Sequence, residues 1–279
     1  MIIKNNRRAF LAKAATLGSL AALPLSGFGG VDFLQDESKS LPALKGRRIL
    51  LIYGAYAPHE PEKFASYMIP WLKEEGADVL SFTTLDPYAD KSLMKSIDLV
   101  IQVYTQGRMT KEQEDGLLEA IERNGTGMAG WHGGMCDTFH DNERYHFMTG
   151  GQWVAHPGGI IVYDVKIVDK KDRVTQGLKD FAMQSEQYYM HVDPNVKVLA
   201  TTHFNGNANY WIDGCVMPVT WKKMHGKGRI FYTSIGHNLS HVLERPEAVE
   251  MLKRGIRWAS ASKYLPVETW ISPMYAPLG

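Results

Sequence analysis

The chain alternates short, continuously apolar segments with amphipathic ones, and this alternation restricts its fold more than any other feature. The segment RRILLIYGAY is apolar through its middle, which is typical of a parallel strand buried on both faces. The next segment, PEKFASYMIPWLKEEG, repeats its apolar residues at the spacing of one helix face, and Gly76 ends it. The pattern therefore begins with a strand followed by a helix.

The same pattern continues to residue 134. ADVLSFTTL and IDLVIQVYTQG predict two further strands. Thr110 and Gln113 form a capping box at the start of the helix KEQEDGLLEAIERNG, and GTGMAGWHGG predicts a fourth strand. The order strand, helix, strand, strand, helix, strand predicts an α/β fold, in which a mostly parallel sheet is covered by helices on both faces.

The second half of the chain is richer in β-strand patterns. GGIIVYDVKIVD, VKVLATTHF and VMPVTWKK all fall between residues 150 and 225. A Gly-Lys-Gly turn then leads into a strand from Arg229 to Ile235, and Pro246 opens a last helix. We expect the folded domain to span residues 47–262, and the proline-containing residues 263–279 to form an extended tail over it.

Residues 1–30 have the features of an export signal. Arg7 and Arg8 precede an apolar stretch, and the sequence RRAFL resembles the twin-arginine signal. Gly18 and Pro24 interrupt the short apolar stretch, so we expect no stable membrane span after removal of the signal. Residues 31–46 predict a polar linker, and the mature protein is predicted to be periplasmic.

Composition excludes several classes of function. The net charge is +1, which gives no basis for a nucleic-acid partner or an anionic membrane surface. Cys136 and Cys215 are too few for a disulfide framework, although one bridge or two free thiols remain open. No CxxC motif occurs, which does not favour a thiolate zinc site.

Histidines follow three of the apolar strands. His59 follows ILLIYGAYAP, His132 follows GMAGW, and His237 follows IFYTSIG. Ligands of open parallel sheets bind at the carboxyl ends of the strands, where residues distant in sequence meet. We therefore expect His132 and His237 to be neighbours. A single histidine is most often structural, and we expect that of His140, His146, His203, His225 and His241.

Two further segments carry polar and aromatic residues that suit a binding site. TGGQWVAHPGG places glycines around Trp153 and His156, and FAMQSEQYYMHVDP places Glu186 next to two tyrosines. A carboxylate with two or three imidazoles can bind a divalent metal or act as an acid–base pair, and spacing alone does not distinguish the two. Exposed aromatic residues could stack on sugar rings, the candidates being Trp131, Trp153, Tyr189 and Trp221. Most tryptophans are core residues, and for Trp221 we favour a core position.

Five motifs, in order, resemble those of the ThuA-like (trehalose-utilisation) proteins over roughly residues 47–260. They are GMAGWHGG, FMTGGQWVAHPGG, VTQGLKDFAMQSEQYYM, MPVTWKKMHGKGRIFYTSIGH and GIRWA. The resemblance implies a flavodoxin-like three-layer α/β sandwich, similar to class I glutamine amidotransferases. Those enzymes carry a nucleophilic cysteine where this chain has His132, and Cys136 follows too late to replace it. We therefore expect no glutamine amidotransferase activity.

The resemblance also implies site residues. The family motifs correspond here to His132, to His156 with Pro157, to Glu186 with Tyr189, and to Gly236 with His237. Members usually carry Asp-Glu where this chain has Ser185-Glu186, so one carboxylate of the family pattern is missing. The family is associated with the use of disaccharides through 3-keto sugar intermediates. The resemblance therefore implies that the partner is a small carbohydrate.

Two functional hypotheses follow. In the first, the protein is a hydrolase or lyase acting on 3-keto disaccharides or glycosides. Its catalytic residues would be His132, Glu186 and His237, which could also bind one divalent metal, zinc or manganese; no nucleotide cofactor is expected. Substrate contacts would come from His59, Trp131, Trp153, His156 and Tyr189. In the second, the protein is a non-catalytic carbohydrate-binding or accessory protein.

A third option, an amidase with another nucleophile, has no well-placed serine or cysteine to support it. A homo-oligomer is compatible with the sequence and is not specified by it.

Overall fold

The computed structural model describes residues 41–269, and its strands alternate with helices as the sequence pattern predicts. The strands are β1 (Arg48–Gly54), β2 (Asp78–Phe82), β3 (Leu99–Tyr104), β4 (Gly127–Trp131), β5 (Gly151–Ala155), β6 (Ile160–Ile167), β7 (Phe181–Glu186), β8 (Tyr189–Val192), β9 (Lys197–His203), β10 (Val216–His225) and β11 (Gly228–Thr233). The helices are α1 (Pro61–Glu74), α2 (Lys91–Ser96), α3 (Lys111–Glu122), α4 (Gly133–Cys136), α5 (Glu143–Thr149), α6 (Leu239–Leu243) and α7 (Pro246–Ser260).

The main sheet is parallel in the half that carries the predicted strand–helix alternation. Its strand order is β2-β1-β3-β4-β11-β10-β9-β6-β7. Strands β2, β1, β3, β4 and β11 are all parallel to their neighbours within this group. The order of these strands, with β11 in fifth place, is that of the flavodoxin-like doubly wound sheet. The predicted fold class is confirmed.

Helices cover both faces of the parallel strands because successive side chains point to opposite sides. Ile49 and Leu51 of β1 belong to one buried cluster together with α1 and α7, whereas Leu50 and Ile52 belong to a second cluster with α3. All four side chains are fully buried. This explains why the strand is apolar at every position instead of alternating.

Helix α3 begins where its sequence predicts. The Thr110 side chain accepts a hydrogen bond from the backbone N–H of Gln113, and the Gln113 side chain accepts one from the N–H of Thr110. This capping box satisfies two backbone donors that would otherwise lack partners at the helix start.

The rest of the main sheet is antiparallel and ends in a hairpin. The turn after His225 joins β10 to β11, and β10, β9, β6 and β7 then pair in antiparallel register. Ser185 Oγ of β7 donates to the carbonyl of Gly236, which follows β11, at 3.0 Å. The β6–β7 hairpin therefore contacts the carboxyl end of the parallel strands. Strands β5 and β8 form a separate two-stranded sheet.

The first residues of the predicted tail pack on the domain. Glu268 accepts a hydrogen bond from Trp258 Nε1 at 2.8 Å and lies 3.3 Å from the guanidinium of Arg229 and 3.5 Å from the ammonium group of Lys222. The predicted export signal and most of the predicted linker fall outside the described residues. Within residues 41–269, no helix is long and apolar enough to cross a membrane.

Truncation of β1 tests the two-sided core. We expect Leu51→Ala to lower the free energy of unfolding by about 2–5 kcal/mol, because the side chain is completely buried between sheet and helices. Val162→Ala on β6 is the control: its side chain is 70% exposed, and its effect should stay within about 0.5 kcal/mol. Urea unfolding of both variants measures the difference, and equal effects would contradict the assignment of the core.

Candidate functional site

Three histidines meet at the carboxyl ends of the parallel strands. His59 ends a short 3-10 turn after β1, His132 directly follows β4, and His237 follows β11. The ring centroids lie 4.7 Å apart for His59 and His132, 5.2 Å for His59 and His237, and 5.6 Å for His132 and His237. The structure thus brings together three side chains that the sequence places far apart.

The backbone at two of these histidines adopts a conformation that side chains seldom take. His132 has φ 48° and His237 has φ 64°, both in the region that favours glycine. The N–H of His132 donates to the carbonyl of Thr233 at 2.7 Å, which fixes this turn to β11. Such strain persists where surrounding structure holds it, and it is common at functional sites.

The glycines around His132 are required by close approach. A Cβ atom on Gly133 would overlap the ring of His59, and one on Gly236 would overlap the side chain of His132. Gly133 therefore lets the imidazole of His59 approach the turn at His132, and Gly236 lets the side chain of His132 approach the turn after β11.

Glu186 completes the cluster from the other half of the sheet. It is the last residue of β7, and its Oε2 lies 3.1 Å from His132 Nε2, 3.2 Å from His237 Nδ1 and 3.9 Å from His59 Nε2. One carboxylate oxygen thus faces three imidazole nitrogens. We call His59, His132, Glu186 and His237 the histidine–glutamate cluster.

Hydrogen bonds outside the cluster orient two of its rings. His132 Nδ1 lies 2.8 Å from the carbonyl of Ser234 and donates to it, which leaves the lone pair of Nε2 facing Glu186. His59 Nδ1 lies 2.9 Å from the hydroxyl of Thr105, which directly follows β3. A lone pair and a carboxylate oxygen at 3.1 Å repel each other unless a proton or a cation lies between them.

Burial and mutual repulsion favour the neutral imidazoles of His59 and His132. Burial, reinforced by the nearby His132 and His237, lowers the pKa of His59 to about 3, and burial also lowers the pKa of His132. For Glu186, burial opposes ionisation, but the imidazoles of His132 and His237 favour it whenever they carry the proton, and they lower the pKa of the carboxyl. Neutral imidazoles with an ionised carboxylate are the protonation states of metal ligands.

The donor set of the histidine–glutamate cluster fits a divalent metal. Its four residues each offer one ligand atom, and these atoms all lie within 4.8 Å of one another. His237 Nδ1 is buried and, among the described residues, makes no well-aligned hydrogen bond. Imidazole nitrogens with a carboxylate oxygen suit zinc and related divalent ions.

Aromatic residues lie beside the cluster, and we call Trp153, His156 and Tyr188 the aromatic wall. His156 Nε2 lies 3.8 Å from Glu186 Oε1, with 41% of its side chain exposed. The ring of Trp153 lies 5.7 Å from that of His156, and the ring of Tyr188 stacks on His132 at 4.2 Å. His156 and Trp153, both predicted to contact substrate, are therefore next to the cluster.

Two of the candidate aromatic residues lie in the core: Trp131, whose predicted substrate contact is wrong, and Trp221, for which a core position was favoured. Trp131 is 1% exposed and packs against Phe64, because its position on β4 directs it into the core while His132 lies beyond the strand end. Trp221 is completely buried against Tyr232. These two side chains cannot stack on a sugar.

The tyrosine that stacks on the cluster is Tyr188, and the predicted substrate contact of Tyr189 stays a prediction. Tyr188 stacks on His132, whereas Tyr189 packs against Phe204 with ring centroids 5.8 Å apart. Consecutive residues of an extended chain point to opposite sides, and the sequence alone does not say which side faces the site.

Sequence reasoning missed two polar residues here. Thr105 obeys the same strand-end rule that identified the histidines, so the rule could have found it. Asp137 ends the short helix α4 and accepts a hydrogen bond from His140 at 2.6 Å. Its position in the sequence carries no signal other than its closeness to His132.

Comparison with known proteins identifies a family. The family model described as trehalose utilisation, ThuA, matches residues 48–259. No curated protein matches the chain.

Two solved structures share the fold. A protein described as ThuA-like from Bacteroides uniformis matches with a TM-score of 0.65 and 18% identity, over 76% of this chain and 91% of that one. Another from Parabacteroides merdae matches with a TM-score of 0.63 and 19% identity, over 82% and 95%. A glutamine amidotransferase from Thermotoga maritima also matches, with a TM-score of 0.45 and 12% identity, over 78% and 93%.

The lowered histidine pKa values predict an acid-sensitive metal-free protein. A histidine with a pKa near 6.5 when unfolded and about 3 when folded binds its proton more readily in the unfolded chain across that interval. The free energy of unfolding should therefore fall as pH drops below about 6.5. His59→Gln should reduce this slope between about pH 6.5 and 5.5, where Glu186 is ionised in both states.

Urea unfolding of chelator-treated protein at several pH values measures the slope. His191→Gln, at an exposed position of β8, is the matched control and should leave the slope unchanged. A slope that is the same in His59→Gln as in the wild type would contradict the assignment of His59 as a buried neutral imidazole.

Proposed function

The chain belongs to the trehalose-utilisation (ThuA) family, and from that membership together with the site we propose that it is a lyase or hydrolase acting on 3-keto disaccharides or glycosides. The observation that carries the proposal is the histidine–glutamate cluster, in which one buried carboxylate faces three imidazoles at the ligand-binding edge of the sheet. A purely structural role does not account for three histidines placed on strained or tightly packed turns.

The proposed site holds one divalent metal, zinc or manganese. His59, His132, Glu186 and His237 would be its ligands. A divalent cation there supplies a Lewis acid that polarises the sugar ketone and stabilises the negative charge that develops on its oxygen. Thr105 and the carbonyl of Ser234 orient the rings of His59 and His132, which is the usual role of hydrogen-bond partners behind metal ligands.

The chemistry that the site must support is proton removal next to a ketone. A 3-keto group acidifies the hydrogen on C2 of the sugar. Loss of that proton forms an enolate, the electron pair then expels the oxygen substituent at C1, and addition of water to C1 completes net hydrolysis. Trp153 and the half-exposed His156 flank the cluster, where a sugar ring can stack on one and accept or donate hydrogen bonds with the other.

The alternatives are less well supported. Cys136 is fully buried, and burial raises the pKa of its thiol well above the usual range, so it is a poor nucleophile for amide hydrolysis. A non-catalytic carbohydrate-binding role draws support from Ser185, which stands where family members usually carry Asp. Its hydroxyl donates to Gly236 instead of offering a second carboxylate.

Two further sequence-based expectations belong to this proposal. Export to the periplasm by the twin-arginine route is a prediction from residues 1–30. Self-association also stays a prediction.

Metal content tests the proposed centre. We expect the purified protein to contain a near-stoichiometric divalent metal, and the His132→Ala/His237→Ala double variant to lose it because two of four ligands are gone. Elemental analysis by mass spectrometry measures both. His191→Gln should keep the metal. An absence of metal in the wild type, even after incubation with zinc or manganese, would contradict a metal centre.

Turnover of 3-keto disaccharides tests the reaction. Release of the second sugar should fall by at least about 100-fold after treatment with a chelator, and it should return when metal is restored. Unchanged turnover after verified metal removal would leave a metal-free acid–base enzyme. Binding of the sugar without any turnover would instead identify the protein as a carbohydrate-binding module.

A further inference from the structure

A second buried carboxylate lies outside the histidine–glutamate cluster, and the cluster does not use it. Only 10% of the Asp137 side chain is exposed. Its Oδ1 accepts a hydrogen bond from His140 Nε2 at 2.6 Å, and the described residues give its other oxygen no hydrogen bond. Buried carboxylates normally have several partners.

Asp172 shows what a structural buried carboxylate looks like in this protein. Its Oδ2 lies 2.7 Å from the ammonium groups of both Lys197 and Lys222, and its Oδ1 accepts the N–H of Val174 at 3.0 Å. Permanent cations neutralise Asp172, whereas the partner of Asp137 is an imidazole that can be neutral. No permanent cation paired with Asp137 therefore opposes its protonation.

The position of Asp137 is fixed by the backbone around the strand ends. Its N–H donates to the carbonyl of Gly133 at 3.2 Å, and its carbonyl accepts the N–H of Gln106 at 2.7 Å. Gln106 follows Thr105, and Gly133 follows His132, so Asp137 is tied to the two turns that also hold the cluster.

Asp137 and His140 lie next to the aromatic wall that flanks the histidine–glutamate cluster. The Asp137 carboxylate interacts electrostatically with Glu186 and His156, and Tyr188 interacts with both carboxylates. The His140 ring lies edge-on to Trp153, with centroids 6.2 Å apart. A sugar ring stacked on Trp153 would therefore lie near both the histidine–glutamate cluster and the Asp137–His140 pair.

From this arrangement we propose that Asp137 is the general acid–base of the site and that His140 positions it. The assignment rests on the proposed function. In that function the four cluster residues would be metal ligands, so a different group must transfer the proton, and Asp137 is that group. It also supplies a second carboxylate, which the sequence at Ser185 lacks. His140, expected from sequence to be structural, here orients a buried acid.

The proton and electron pairs balance within one cycle. The ionised Asp137 removes the hydrogen on C2 as a proton, and the C–H electron pair forms the enolate at the neighbouring ketone. The enolate electrons then form the C1–C2 double bond as the C1–O bond breaks, and the protonated Asp137 returns its proton to the leaving oxygen. Burial raises the pKa of Asp137, which suits a carboxyl that must hold the proton between the two steps.

Hydrogen exchange at C2 isolates the step assigned to Asp137. The probe is a 3-keto-1,5-anhydrohexitol, which lacks the exocyclic oxygen substituent at C1 that the proposed reaction expels, incubated with metal-loaded protein in deuterium oxide. Proton NMR then follows loss of the C2 signal above the protein-free rate. We expect Asp137→Asn to slow exchange by about 100-fold to 10,000-fold, the usual worth of a general base.

Matched variants separate a chemical role from a structural one. Asp137→Asn should keep the metal content, the thermal unfolding temperature and the affinity for the probe. Asp141→Asn, four positions later and largely exposed beside Arg108, should exchange at the wild-type rate. His140→Gln retains an N–H donor and should slow exchange less than His140→Ala, with the loss in kcat and not in KM.

The outcomes distinguish this assignment from the proposed function. Wild-type exchange in Asp137→Asn would overturn the role of Asp137 and leave the proposed reaction standing. Absence of exchange in the metal-loaded wild type would overturn both. Loss of exchange accompanied by loss of metal or of folding would also overturn the assignment, because it would show that Asp137 maintains the site and does not transfer the proton.

Discussion

The contact between the Glu186 carboxylate and three imidazoles is the interaction on which the site depends. Glu186 comes from the antiparallel half of the sheet, and His59, His132 and His237 come from the ends of the parallel strands. A buried carboxylate costs free energy unless charged or hydrogen-bonded partners offset the loss of water. This requirement ties the β6–β7 hairpin to the parallel half, and the hydrogen bond from Ser185 to Gly236 reinforces it.

The same contact explains the unusual backbone of the strand ends. Positive φ angles at His132 and His237 cost conformational free energy, and glycines are needed where the rings approach neighbouring turns. These strained and tightly packed turns lie at the carboxyl ends of the strands, which is the edge where doubly wound sheets bind their ligands. An imidazole, that of His132, occupies the turn after β4, and Cys136 is buried in α4.

The sequence was most informative where periodicity and strand ends determine the structure. The apolar runs and the capping box at Thr110 predicted the parallel half of the sheet and helix α3, and the strand-end rule predicted that His132 and His237 meet. The rule cannot place Glu186 by itself, because β7 belongs to an antiparallel hairpin whose path depends on tertiary contacts. The sequence also did not show which way individual side chains point: Trp131 is buried in the core, and Tyr188 is the tyrosine that stacks on His132. The Asp137–His140 pair, local in sequence, had no periodic pattern to mark it.

The most direct test of the central claim is anomalous diffraction from crystals grown with zinc, recorded on both sides of the zinc absorption edge. The account predicts one strong anomalous peak per chain, bonded to His59, His132, Glu186 and His237 at the distances usual for zinc ligands, about 2.0–2.2 Å. A peak bound elsewhere, with the three imidazoles and Glu186 joined only by hydrogen bonds, would contradict it. The cluster would then be an acid–base network, and the metal would have no part in the reaction.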